Sequence, residues 1–474
     1  MPARLKIWPL LCGIAAAAGC AHYQPQPLSP AQTAAQLDAR RLYNPGLNDF
    51  LAQQLGHPPP KWPLEKWDLN SLTLAAFYFH PDLAVAREQW RVAQAGAISA
   101  GVRPNPSVSF SPGYDTQIPN NPSPWLIPVT FDIPIETAGK RDKRMAEAAK
   151  AAESARWSFA SAAWQIRGGV RAALLDFGMA GRRAELLQKQ FSAQTDILKL
   201  LQGRFNAGAI ARPELTSAQI ALNKTQQDLS AAQSKHAEAR SRLAQALGVP
   251  PAALDGEKLQ CEFSAKPVDD LTSAGARTVA QRSRADILGA LADYAAAEAD
   301  LRLQIARQYP DVHLGPAYAW NSGNASDSQW TLGATVELPV LDQNQGPIAE
   351  AAARRKLSAA KFIALQAQVS ADIDRAVADV RIAREQLAAG ETLITAERQQ
   401  EQSAEQQLNA GAGDRLDLLN AQLETANATL TQLDNEAKWQ SAVGALEDAL
   451  QSPADSVAAV IEKISTETPN EKKP

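Results

Sequence analysis

The feature that most constrains this chain is that it repeats itself. About 204 residues separate Asp82 from Asp286, Pro106 from Pro310, Val108 from Val312, Pro112 from Pro316 and Tyr114 from Tyr318. Trp125 and Trp330, like Pro134 and Pro339, lie one residue further apart. Asn206-Ala207-Gly208 and Asn409-Ala410-Gly411 lie one residue closer. A tandem duplication commits the chain to two structurally equivalent halves, here residues 71–270 and 271–452, with a linker around Pro250 to Asp270. Each half reads as helix, strand, loop, strand, long helix, glycine turn, long helix.

The strands show period-two patterning. Ile127, Val129, Phe131, Ile133 and Ile135 alternate with Pro128, Thr130, Asp132, Pro134 and Glu136; Leu332, Ala334, Val336, Leu338 and Val340 form the equivalent row in the second half. Upstream partners are Val108, Phe110, Pro112, Tyr114 and Val312, Leu314, Pro316, Tyr318, across polar connections at 115–124 and 321–329. Trp125, Trp320 and Trp330 stand where strand meets loop, a position that suits an aromatic girdle at a membrane interface. Two hairpins packed on a soluble core would also be apolar on one face, and Pro128 favours such an edge position. Four strands cannot close a barrel alone, and open edges are not tolerated in lipid. If they span a membrane, several chains must pool them, and three chains would supply twelve strands.

The helices carry heptads. Val170, Phe177, Ala184, Phe191, Leu198 and Phe205 recur every seven residues, as do Leu215, Leu222, Leu229, His236 and Leu243, with Ala218, Thr225, Ala232, Ala239 and Ala246 three behind. Leucine on one row and small residues on the other make a close-packed coiled-coil seam. No proline interrupts Met145 to Ala207, which predicts a helix ~90 Å long at ~1.5 Å per residue, a stave of an extended tube. Pro213 suits the first turn of the return helix.

Outside the repeats, residues 1–19 have the form of a secretion signal, with basic Arg4 and Lys6 and an apolar run at 7–18 too short to span. Ala17-Ala18-Gly19-Cys20 resembles the lipobox of bacterial lipoproteins, which implies acylation of Cys20; ordinary cleavage would leave it a free thiol. Residues 20–70, with Pro58-Pro59-Pro60, Trp62 and Trp67, read as an extended lipidated arm, and 453–474 as a polar tail, disordered from Ser465. Cys12 leaves with the signal and Cys261 has no partner. The net charge of −4 gives no reason to expect nucleic acid. No later run of 18 apolar residues offers a helical span. His22, His57, His80, His236 and His313 show no ligand-like spacing, so no metal site, cofactor or catalytic constellation is expected. His236 reads as a polar packing residue on the seam and His80 as a helix entry.

The tandem helix–hairpin–helix units resemble the TolC family of outer-membrane efflux proteins, as do Asn206-Ala-Gly…Glu214-Leu-Thr-Ser-Ala-Gln219 and Asn409-Ala-Gly…Asp417-Leu-Leu-Asn-Ala-Gln422. The resemblance covers Leu72 to Leu450. It implies a mainly α protomer with long coiled-coil helices and four strands contributed to a trimeric 12-stranded outer-membrane β-barrel. It further implies a passive exit duct rather than an enzyme, with a periplasmic adaptor and an inner-membrane pump of the resistance-nodulation-division type as partners. Asp417 matches an acidic gate position at the periplasmic turn and Glu214 is its counterpart, with Arg212 and Arg415 placed to pair with them across neighbouring helices. Asn420 replaces the family's second aspartate. Alternatively these acids are solvated residues favoured by a helix N-terminus. The stretch Val336 to Ile348 resembles the heavy-metal resistance branch, although Gln343 stands where that branch often has arginine. Metal cations are the expected cargo, with organic compounds as the alternative. A lipid-tethered coiled-coil scaffold is a third reading, which leaves two copies of alternating strands unexplained.

Overall fold

The computed structural model describes residues 23–114, 116, 125–263, 268–321, 329–453 and 457–466. Cys12, Cys20 and the signal segment lie outside the described residues. Helices α1 (Pro30–Asp38) and α2 (Pro45–Leu55) precede α3 (Leu69–Phe79) and α4 (Pro81–Ala100). Strands β1 (Ser107–Phe110), β2 (Gly113–Tyr114) and β3 (Trp125–Ile135) lead to the long helix α5 (Lys140–Asn206) and its return partner α6 (Arg212–Leu247). The order recurs with α7 (Val268–Leu271), α8 (Ala274–Ser283), α9 (Ala285–Ala306), β4 (Val312–Asn321), β5 (Gln329–Val336), α10 (Gln345–Asn409) and α11 (Arg415–Leu450), and α12 (Val457–Thr466) follows.

The duplication is visible in the helix lengths. α5 and α10 have 67 and 65 residues, and α6 and α11 have 36 each. Rich in Ala, Gln, Leu and Arg and free of proline, α5 runs unbroken, for ~100 Å at ~1.5 Å per residue. Both hairpins turn on a glycine in the left-handed region, Gly208 at φ 74° and Gly411 at φ 75°, where a side chain would be strained. Pro213 occupies the first turn of α6, as expected.

α5 is the central stave. Near the strands it packs between α4 and α9; towards the glycine turns it packs between α6 and α11; α10 lies beyond α9 and α11. The main core sits where α2, α3, α4, α5 and the end of α6 meet, around Leu72, Phe77, Phe159, Val170, Leu174, Leu243 and Leu247. Its counterpart gathers Ile287, Val369, Ile373, Val380, Val443, Leu446 and Leu450. Towards the turns only small apolar groups remain, such as Leu187 with Leu229 and Ala232, and Ile197 with Leu201 and Leu419.

Three expectations need correction. Residues 23–70 are not an extended arm: α1 and α2 are helical, and Leu42, Leu47, Leu51 and Trp67 are wholly buried in the main core. Trp67 forms a parallel bridge with Leu259 and donates its indole N–H to Glu257 at 3.0 Å. The segment after 453 is not simply polar, since Val457, Val460 and Ile461, at helical spacing, bury against the same core in α12; residues 467–474 lie outside the described residues. Finally, β5 ends at Val336 instead of running to 341. Pro339 lacks a ladder donor, and Leu338, Val340 and Leu341 stand exposed.

Candidate functional site

The strands form one antiparallel sheet in the order β1–β3–β4–β5, with β2 pairing further along β3. Register pairs Val108–Phe131, Phe110–Val129, Tyr114–Trp125, Ile127–Trp320, Val129–Tyr318, Ile133–Leu314, Tyr318–Trp330 and Pro316–Leu332 gather the large apolar side chains on one face. The other face carries Ser107, Ser109, Thr130, Asp132, His313, Gly315, Ala317, Gly333 and Thr335, with Leu126 and Pro128 towards the loops. The apolar face is bare: Phe110 is 60% exposed, Trp330 and Leu332 are 77% exposed, and among the described residues no helix packs closely over it. A continuous apolar patch of this kind marks a surface meant for lipid or a partner. Among the described residues β1 and β5 each pair on one side only, leaving two open edges. The three tryptophans stand where the sequence places them, at the loop end. Tyr114 stacks edge-on to Trp125 at 5.1 Å, and Tyr318 meets Trp330 at 4.7 Å.

On the polar face His313 Nδ1 lies 2.9 Å from Asp132 Oδ1, across β3 and β4. At the strand-to-helix junction Lys140 donates to Asp311 at 2.7 Å, and the Thr137 amide donates to the same carboxylate at 2.9 Å. Burial works to raise the Asp311 pKa, but these donors and the Lys140 charge hold it below its ordinary value. Arg144 bonds Glu136 at 2.6 Å and, with Arg141, donates to the carbonyls of Ala100, Gly101 and Val102 at the end of α4. Helix-end carbonyls that would otherwise lack donors thus receive arginine.

At the opposite end, Glu214 and Asp417 occupy the first turns of α6 and α11, in equivalent positions, with Arg212 and Arg415 beside them. The structure does not bring these four together: within the protomer none makes an ion pair among the described residues. The bond at the tip is instead from Arg204, whose Nη2 donates to both carboxylate oxygens of Asp414 at 2.5 Å. It joins the end of α5 to the start of α11. Asp414 also caps α11, accepting from the Leu416 amide at 3.1 Å. Arg204 lowers the Asp414 pKa, and Asp414 raises that of Arg204, with Asp417 adding to the effect. The sequence signal was available: an aspartate before a helix and an arginine in the last turn of its neighbour. The first half has Ala211 at the equivalent cap, without a side-chain bond, so the latch occurs once.

A second link, not anticipated, ties α5 to α11 near the main core. Arg167 donates to Glu447 and to Asp448, each at 3.0 Å, and Arg171 reaches the Gln440 carbonyl at 2.8 Å. Arg167, Arg171 and Glu447 are buried. Gly168 and Gly444 give the side chains passage: a Cβ at 168 would strike the Asp448 carboxylate, and one at 444 the Arg171 guanidinium. Burial pushes the Asp448 pKa up to about 6; Arg167 and Arg171 pull it down and Glu447 adds to the rise.

Two further histidines serve as capping and packing groups. His80 accepts from the Asp82 amide at the start of α4, and His236 stacks on Phe177 at 4.7 Å. Among the described residues no three potential ligands gather as a metal centre, and no helix is long and apolar enough to cross a membrane.

Comparison with known proteins bears on this geometry. The family model for outer membrane efflux proteins matches residues 77–249 and 277–451. The chain is 23% identical over 362 residues to the cobalt-zinc-cadmium resistance protein CzcC of Cupriavidus metallidurans, covering 74% of this chain and 82% of that one. It is 23% identical over 301 residues to the pyoverdine export outer membrane protein OpmQ of Pseudomonas aeruginosa, covering 59% and 62%. The fold superposes on the outer membrane protein VceC of Vibrio cholerae with a TM-score of 0.66 at 19% identity, covering 81% of this chain and 96% of that chain.

Proposed function

The chain belongs to the outer membrane efflux protein family, and on that premise we propose that three copies form an exit duct across the outer membrane. The observation that carries this reading is the sheet. Its apolar face is uncovered, its other face is polar, and both edges are open. Joining β5 of one copy to β1 of the next leaves every edge paired, as a barrel in lipid requires. Three copies give twelve strands with the polar face around the lumen. The helices support the same closure. Val85, Val92 and Ile98 on α4 and Leu357 and Ile363 on α10 are exposed on helices at opposite ends of the packed row, where a neighbour would cover them.

In this assembly the long helices carry the duct into the periplasm, and the protein conducts without catalysing. An inner-membrane pump of the resistance-nodulation-division type, acting through a periplasmic adaptor, supplies the energy. Cys20, acylated, anchors the chain to the outer membrane. The glycine-turn end is the gate, where Glu214 and Asp417 ring the aperture and Arg204–Asp414 holds the two hairpins of each protomer together. Divalent metal cations are the favoured cargo, supported by the likeness to CzcC; the likeness to OpmQ keeps organic export as the second reading.

Planar-bilayer recording of the purified full chain tests the duct: discrete conductance steps are expected, and their absence contradicts it. Growth of a deletion strain across divalent metals and organic toxins tests the cargo. Sensitivity confined to metals supports the first reading, and sensitivity confined to organic compounds replaces it with the second.

A further inference from the structure

The polar face of the sheet carries one imidazole, and its surroundings are arranged in a particular way. His313 Nδ1 lies 2.9 and 3.1 Å from the two oxygens of Asp132. In the tautomer that donates from Nδ1 to this carboxylate, the lone pair lies at Nε2. That nitrogen makes no hydrogen bond among the described residues, and the ring is 43% exposed. Lys140, at the strand-to-helix junction, is engaged by Asp311 at 2.7 Å.

The neighbouring positions are small or hydroxylic. The register pairs Thr130–Ala317 and Ile133–Leu314 set Asp132 opposite Gly315, and Gly315 in turn pairs with Gly333. Two adjacent glycines leave a recess in the wall beside the carboxylate, and with no side chain opposite it the carboxylate reaches diagonally to His313. Ser107 pairs with Asp132 and Thr335 with His313, so a polar band crosses all four strands at this level.

We propose that His313 Nε2, backed by Asp132, is a transient wall ligand for divalent transition-metal cations passing through the lumen. The inference rests on the duct reading, which turns this face inward. Imidazole suits zinc and its neighbours in the first transition row, whereas magnesium takes oxygen ligands and keeps its water. One nitrogen per protomer, the rest of the shell being water, makes a weak site. Conduction needs weakness, because a cation must leave as readily as it enters. The recess gives the hydrated ion room at the wall.

The test is bilayer recording of the full chain with Zn2+ added on the extracellular side and Mg2+ at the same concentration as control. The wild-type current should fall with Zn2+ and not with Mg2+. His313→Gln keeps a donor towards Asp132 but presents no imidazole; it should conduct as wild type in zinc-free buffer and lose the zinc-specific block. Asp132→Asn leaves the imidazole in place but unfixed and should raise the half-blocking Zn2+ concentration by ~10-fold or more. A His313→Gln pore that is blocked like wild type overturns the inference and leaves the pair a cross-strand bond. So does a conducting wild type indifferent to Zn2+, with the duct intact. A chain that forms no pore overturns the duct reading and this inference together.

Discussion

Asp448 shows how one side chain can set a pH response far from either end of the molecule. Its carboxyl is raised from an ordinary 3.8 to about 6, chiefly by burial. As pH climbs from about 4 to about 6, the unfolded chain releases this proton before the folded chain does. The folded state therefore loses stability across that window and carries the full penalty above it. Asp448→Asn removes the titration while also losing the charge opposite Arg167. The difference in Tm, variant minus wild type, should become steadily more favourable to the variant from pH 4 to pH 6 and then level off. The side chain is still 38% open to solvent, which limits the size of the effect. A pH-independent difference would place the desolvation elsewhere. At the tip the reasoning differs. Arg204 and Asp414 are half-exposed, and pairs near the surface contribute little to folding. Arg204→Ala should leave thermal stability nearly unchanged and increase the single-channel conductance. A lower conductance, or a large fall in Tm, would contradict the latch. The two links also mark a limit of sequence reading. The capping aspartate was visible in principle, but nothing in the chain announces that Arg167 and Glu447, 280 residues apart, meet in one buried cluster.

Among the elements, the long helices were the most legible. A proline-free stretch with heptads and a Pro213 start brought α5 and α6 close to their observed bounds, because helix length and periodicity are local properties. The strands were legible in patterning but not in extent: the alternation carries on past Val336 to Val340, and Pro339 breaks the pairing that it promises. α1, α2 and α12 were missed for a common reason. Each is short and flanked by polar or proline-rich sequence, and its apolar stripe gains meaning only from a core built by distant residues. The α5–α11 contact has a sharp elemental test. Gly444 lies on α11 where the Arg171 guanidinium crosses, so Gly444→Ala should destabilise by ~1–3 kcal/mol, the usual cost of forcing extra volume into a packed contact. Gly169, although it directly follows Gly168, meets nothing within 4 Å, and Gly169→Ala should be neutral or stabilising. Denaturation of the pair in parallel checks this; equal effects would deny the notch its role.

For the whole molecule, the duplication explains why one chain presents two long helical hairpins, two strand pairs and two cores. The two hairpins repeat, the two strand pairs repeat, and the two cores gather equivalent leucines, Leu243 with Leu247 and Leu446 with Leu450. Arg167–Glu447 and Arg204–Asp414 do not repeat; they join the halves. The assembly was inferred from the sequence by an argument of insufficiency, four strands with no way to close. The sheet supports that argument by leaving its apolar face and both edges uncovered. The central claim is that these edges belong to neighbouring copies, and disulfide trapping tests it most directly. Ser109→Cys on β1 would be combined with cysteines scanned singly along Gln329–Val336 on β5, in a Cys261→Ser background, and oxidised in isolated outer membranes. A reductant-sensitive ladder that stops at three protomers, restricted to one β5 register, is the predicted result. A ladder running beyond three, or no cross-link at any position, would contradict the closed three-chain barrel.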